Sequence, residues 1–274
     1  MIIDTHTHFY DPTRPQGVPW PSPENTRLYR TVMPEHFRTV ANPHGVTGTV
    51  VVEASPWLED NQWILDLAAN EPGIVAFVGS LAPNRPEFAA ELARFAANPL
   101  FRGIRCGSAR FAAADQAGFL ADMARLAQRD LSLDVLCFDR DHLDRVLRVA
   151  QELPTLRLVI NHILSAPVDG HTPSAALQAA AAQPNVYMKV SGLMENSTVQ
   201  PAPADLAFYR PMLDALWHAF GEDRLLYGSN WPVCEQAGSY SQCMAIVRAY
   251  FEAKGNQAAE KYFAGNARAV YRFP

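Results

Sequence analysis

The residues with most chemistry per position stand at the start of the chain, as Asp4-Thr5-His6-Thr7-His8. On an extended strand, residues two apart point to one side, so His6 and His8 share a face and Asp4 is expected deeper on it. Two imidazoles side by side at a strand end supply half of a metal site. A bare H-x-H more often only hydrogen-bonds in a loop; its place at the end of the first of several repeated units favours a site. Further polar residues stand where apolar runs end: Glu53 closes TVVVEA, Arg105 closes FRGIRC, and His162 closes RLVINH. Lys189 lies near the end of NVYMKV, and Asn230 follows RLLYGS. Each alone is equally a satisfied core or rim group, and Glu53 has Lys189 or Arg105 as a simple charge partner. Asp134, inside LSLDVL, is another internal carboxylate but sits where it could lie too deep to react. Trp20, Trp57 and Trp231 are candidates to wall a pocket, and Arg105 and Lys189 to hold substrate carboxylate or hydroxyl groups. Trp63 falls in a helical stripe and reads as core.

The elements that must position these groups recur along the whole chain. Strand-like apolar runs cover residues 1–8, 49–54, 74–80, 101–106, 131–138, 157–162, 185–190 and 224–228. Continuous runs of this kind suit strands buried on both faces of a parallel sheet. Helical patterns fill the intervals, near 34–37 and over 58–70, 86–97, 116–128, 141–153, 173–182, 205–220 and 240–254, with a last helix near 257–263. Eight βα units predict an α/β chain folded as one (β/α)8 barrel over residues 1–274. An open doubly wound sheet is the rival, but no G-x-G-x-x-G follows the first strand. Residues 10–29 form a long Pro-rich loop after that strand, which a barrel places on its catalytic face.

Composition narrows the class. Hydrophobic residues are 49% and charged residues 19%, which suits a folded globular chain. A net charge of −5 gives no electrostatic reason to bind nucleic acid or an anionic membrane. No apolar run approaches a membrane span, and the start lacks the basic and apolar regions of a signal peptide. The four cysteines form no C-x-x-C pair, so neither a zinc ribbon nor a redox motif is expected. The expectation is a cytoplasmic protein with a small-molecule substrate, no nucleic-acid or membrane partner, and homo-oligomerisation left open.

DTHTHFYD at the start, the strand ending VINH, NVYMKVSGL and RLLYGSNWPV together resemble the amidohydrolase-related hydrolases of the amidohydrolase superfamily. They are most similar to the branch containing sugar-lactone hydrolases and pyrone-dicarboxylate lactonase. The resemblance runs over nearly the whole chain and implies a distorted (β/α)8 barrel that hydrolyses an ester or amide bond, in this branch often a lactone. It maps the catalytic histidines onto His6, His8 and His162. It also implies an Asp in the eighth-strand segment as the base that activates water, where this chain has Asn230. An amide has no useful basicity.

Glu53 is the physical replacement for that base, at the end of the second strand beside His6 and His8. The family often has Gln there. The resemblance leaves two routes for carbonyl activation. One is a divalent ion, zinc or manganese, held by His6 and His8 with Glu53 or His162. The other is metal-free polarisation by the three histidines. The leading expectation is therefore a lactone hydrolase, most plausibly acting on a sugar-acid lactone. A metal-dependent decarboxylase and a non-catalytic small-molecule binder are the alternatives.

Overall fold

All eight apolar runs become strands of one sheet in the computed structural model, which describes residues 1–137, 139–170 and 175–273. The strands are β1 (Ile2–Thr7), β2 (Val46–Val52), β3 (Ile74–Gly79), β4 (Phe101–Gly107), β5 (Ser132–Leu136), β6 (Arg157–Ile160), β7 (Val186–Val190) and β8 (Leu225–Tyr227). They pair in parallel, in chain order from β1 to β8. This is the (β/α)8 order. The far end of the run expected over 131–138 (Phe138) and the start of the helix expected over 173–182 (Pro173 and Ser174) lie outside the described residues.

Helices return the chain between strands: α1 (Pro34–Ala41), α2 (Leu58–Ala68), α3 (Phe88–Ala96), α4 (Ser108–Phe111), α5 (Ala117–Gln128), α6 (Arg140–Glu152), α7 (Ala175–Ala181), α8 (Leu206–Phe220) and α9 (Tyr240–Glu252). Their sequences carry the usual signals. Asp139 caps α6 by accepting from the His142 amide, and Leu143, Val146, Leu147 and Ala150 form its buried stripe. Ser239 and Gln242 close a reciprocal capping box at α9. Among the described residues, no helix is long and apolar enough to cross a membrane.

Two apolar layers hold the sheet. The outer layer packs the helices on the strands, through residues such as Phe37, Phe77, Phe95, Leu126 and Leu213. The inner layer joins Ile3, Val50, Val52, Val78, Val159 and Leu226 of the strands to Val270, Tyr271 and Phe273 near the C-terminus. The expected last helix is longer than its periodicity showed. It runs as α10 (Asn256–Glu260), one wide π-helical turn over Lys261–Gly265, and α11 (Asn266–Tyr271). Its end plugs the interior of the barrel, leaving the opposite end for the strand-end polar groups.

The seam between β8 and β1 is made differently from the other junctions. Thr5 Oγ1 donates to the Tyr227 carbonyl at 2.5 Å, and the His8 amide donates to the Trp231 carbonyl at 3.0 Å. Asp4 accepts from the Ser229 amide at 2.8 Å and from the Tyr240 hydroxyl of α9 at 3.1 Å. Side chains thus complete a closure that the three-residue β8 cannot make by backbone pairing alone.

Candidate active site

His6 and His8 stand together at the end of β1, with ring centroids 5.0 Å apart. His162, just past β6, brings its ring to 4.4 Å from His6. Asp4 does not join them. The β1–β2 register shifts between Asp4 and Thr7, which breaks the simple alternation, and the Asp4 carboxylate goes to the β8 seam. His162 is held by an unusual turn, in which His162, Ile163, Leu164 and Ser165 all have positive φ between 51° and 63°. Such a run of non-glycine residues is costly and persists only where the surroundings impose it. Gly192 of the neighbouring loop has φ 71°, and a Cβ there would lie 3.1 Å from the His162 Cβ, so only glycine suits that position.

Each imidazole has one nitrogen engaged. His8 Nδ1 lies 2.9 Å from the Val52 carbonyl, so it carries the proton and donates, leaving Nε2 as an acceptor. His162 Nδ1 lies 2.9 Å from Ser191 Oγ. His6 Nδ1 faces Lys189 Nζ at 3.4 Å. An ammonium only donates, so His6 Nδ1 accepts and its proton sits on Nε2. That Nε2 is buried and has no hydrogen-bond partner among the described residues.

All three rings are held neutral. Burial lowers His6 well below the ordinary imidazole range, helped by the Lys189 charge. Burial lowers His8 to about 3, with Arg105 adding to it. Burial and Arg105 lower His162 likewise. Lowered in this way, each ring is a weaker base than a free imidazole.

Lys189 and Asp134 form a fully buried ion pair at 2.6 Å, and the Tyr271 hydroxyl of α11 caps both Asp134 oxygens at 3.1 Å. Burial pushes the Lys189 ammonium down and the Asp134 carboxyl up, and their mutual contact opposes both shifts. Glu53 is tied to Arg105, whose Nε donates to Glu53 Oε1 at 2.9 Å and whose Nη2 donates to the Glu53 carbonyl at 2.8 Å. The two residues expected to be alternative partners for Glu53 are thus divided: Arg105 takes Glu53, and Lys189 takes Asp134.

The aromatic candidates separate. Trp20, from the long loop, lies edge-on to His8 at 5.6 Å and borders the same cavity as Glu53. Trp57 is exposed at 39% beyond β2. Trp231 does not wall a pocket. It is 1% exposed, packs its ring against Phe9 and Phe37, and donates from Nε1 to Glu235 at 2.7 Å. It follows Asn230, whose φ of 62° turns the chain so that successive side chains diverge.

Asn230 is brought to the histidines, and its amide interacts with His8. It also donates from Nδ2 to Glu195 Oε1 at 2.9 Å. Glu195 is absent from the strand-end candidates because it lies in a loop, five residues beyond the end of β7. Burial raises its carboxyl to about 7, against the lowering effect of the Asn230 hydrogen bond. Barrel order makes β7 the neighbour of β8, so a side chain from the β7 loop can reach position 230.

These donors do not fit a divalent ion. His6 presents a protonated Nε2, Glu53 is committed to Arg105, and the Lys189 and Arg105 charges act on the His6 ring against further positive charge. Among the described residues, no three His, Cys, Asp or Glu side chains, the three clustered histidines included, are placed so as to hold a metal ion.

Comparison with known proteins agrees with this architecture. The family model described as Amidohydrolase matches residues 3–273. An L-fucono-1,5-lactonase of Burkholderia ambifaria is 32% identical, over 98% of this chain and 95% of its own length. An L-fucono-1,5-lactonase of Burkholderia multivorans is 30% identical, over 100% and 97%. Among solved structures, an amidohydrolase from Burkholderia multivorans with bound zinc superposes with a TM-score of 0.87 at 27% identity, covering all of both chains. Because the family match spans β1 to α11 and the paired first-strand histidines stand at the open end of the barrel, this chain belongs to the amidohydrolase family.

Proposed function

We propose that this amidohydrolase-family enzyme hydrolyses a sugar-acid lactone, with the ring carbonyl polarised by His6 and without a metal. The observation that carries this reading is His6 itself. Lys189 fixes its tautomer, and among the described residues its buried Nε2–H has no acceptor, which a substrate carbonyl oxygen would supply. As water adds to the carbonyl carbon, negative charge builds on that oxygen. The His6 N–H donates to it, and the Lys189 and Arg105 cations favour it in a site where burial strengthens their field. His8 and His162, held neutral, orient water and substrate without competing as cations. The two lactonases at 30% identity or more support the same bond type.

Of the arginines a dicarboxylate could draw on, Arg14 is paired with Asp60 at 3.0 Å and Arg30 with Glu235 at 2.5 Å, while Arg110 donates to two neutral groups, the Arg105 carbonyl at 3.0 Å and the Ser80 hydroxyl at 2.8 Å. Trp20, beside His8, suits a sugar ring and a planar pyrone alike, so the preference for a sugar lactone rests on the two lactonase relatives.

A pH-indicator assay tests this reading on L-fucono-1,5-lactone, other aldonolactones and 2-pyrone-4,6-dicarboxylate. Proton release is expected with one or more aldonolactones and not with the pyrone, and chelator-treated, metal-free enzyme should keep its rate. Activity that vanishes on chelation and returns with zinc would overturn the metal-free mechanism. Turnover of the pyrone alone would overturn the substrate class.

A further inference from the structure

We propose that Glu195 is the general base of this enzyme, taking from the β7 loop the proton that the family's acid at position 230 would take; this rests on the lactone-hydrolysis reading above. The geometry supports it by position and by elimination. Asn230 Nδ2 holds Glu195 Oε1 at 2.9 Å, and the same amide interacts with His8, so the carboxylate stands one side chain from the histidine cluster. The loop that carries it is fixed. The Asn196 amide donates to the Gly192 carbonyl at 3.0 Å, Gly192 runs against His162, and the Val168 amide ties to the Asn196 carbonyl at 2.8 Å.

The other carboxylates at the strands of the site are occupied. Asp4 accepts from the Ser229 and His6 amides and the Tyr240 hydroxyl at the seam. Asp134 accepts from Lys189 and Tyr271, and Glu53 from Arg105. Neutralising any of these would leave a buried cation or amide without its partner. Among the described residues, the groups that hold Glu195 are neutral, the Asn230 side chain and its own backbone amide, so it can gain a proton without stranding a charge.

The titratable groups packed around Glu195 supply no charge of their own. Tyr209 of α8 is pushed up to about 12 by burial. Cys234, after β8 and in contact with Cys243 of α9, is raised well above the ordinary thiol range by that contact and by burial. Burial therefore dominates and holds Glu195 near neutrality, where a base is both partly ionised and strong enough to act.

In the step itself, one O–H bond of water breaks and its proton passes to Glu195. The water oxygen bonds to the carbonyl carbon, and the C=O pair moves to the oxygen beside His6. When that pair returns, the ring C–O bond breaks and Glu195 gives its proton to the departing alkoxide. The product acid then ionises, and one proton is released to solvent per turnover.

The test compares wild type with Glu195→Gln and Glu195→Asp. Wild type should show an acid limb in kcat/KM with its midpoint near pH 7. Glu195→Gln should lower kcat/KM by about 10²–10⁴-fold, while Glu195→Asp recovers part of the rate and keeps the limb. Asn230→Asp, which sets a second carboxylate beside the first, should move the midpoint upward. A Glu195→Gln enzyme within about threefold of wild type, with the limb unchanged, overturns the proposal. A 13C-NMR titration of glutamate carboxyls, with the Glu195 signal identified by its loss in Glu195→Gln, reads the group without turnover. A resonance titrating in the ordinary carboxylate range overturns the proposal. Wild type inert on every lactone, with Glu195 titrating near 7, would instead overturn the substrate reading.

Discussion

His6 shows how a neighbour determines what a side chain can do. Alone, a histidine in an H-x-H pair is equally a metal ligand or a hydrogen-bond donor. Lys189 at 3.4 Å makes it a donor, and Asp134 keeps Lys189 charged enough to do so. His6→Ala is expected to lower kcat by at least ~10²-fold with a normal circular dichroism spectrum and melting temperature within a few degrees. Near-normal turnover would remove His6 from the mechanism. Glu53 is the converse case. Its pairing with Arg105 predicts that Glu53→Gln costs about 1–3 kcal/mol, read as a lower Tm, and leaves kcat/KM within a few-fold. A loss of 10²-fold at unchanged Tm would restore Glu53 as the base.

At the scale of elements, the decisive junction is β8 against β1. β8 is three residues long, and Asp4 does much of the work of joining the two strands. Asp4→Ala would leave the Ser229 and His6 amides and the Tyr240 hydroxyl without their acceptor. Each orphaned buried donor costs about 1–3 kcal/mol, so urea denaturation should show a large fall in stability. Activity should fall too, because Ser229 leads directly into Asn230 and the Asp4 bond to the His6 amide fixes the catalytic strand. An unchanged denaturation midpoint would mean that backbone contacts alone close the barrel.

For the whole molecule, the three neutral histidines make stability depend on pH. An exposed histidine in the unfolded chain titrates near 6.5, whereas native His8 is lowered to about 3. Between those values the unfolded state binds more protons, so native stability is lost as pH falls, at up to about 1.4 kcal/mol per unit. The raised Asp4, at about 6, acts in the opposite sense, stabilising the fold at low pH, and it is common to wild type and a His8 variant. Urea unfolding of wild type and His8→Gln at pH 7 and pH 5 isolates the His8 contribution. The difference should shift in favour of the variant at pH 5. A gap that does not change with pH would show that native His8 titrates normally.

The sequence by itself determined the eight βα units and their order, because strands buried on both faces must be continuously apolar and amphipathic helices must carry a stripe. Those are properties of local spacing. It also determined that His6 and His8 lie together, since a period of two survives the local bulge, and that position 230 lacks a base, since that is a matter of chemical type. Tertiary structure alone decided the partners. Glu53 joins Arg105 across 52 residues, and Lys189 joins Asp134 across 55. Trp231, beside a site residue in sequence, turns into the core because Asn230 takes a positive φ. Glu195, in a loop with no periodicity, meets Asn230 because the sheet order sets β7 beside β8. Hydrogen bonds and burial depend on distances in space, and no spacing along the chain encodes them.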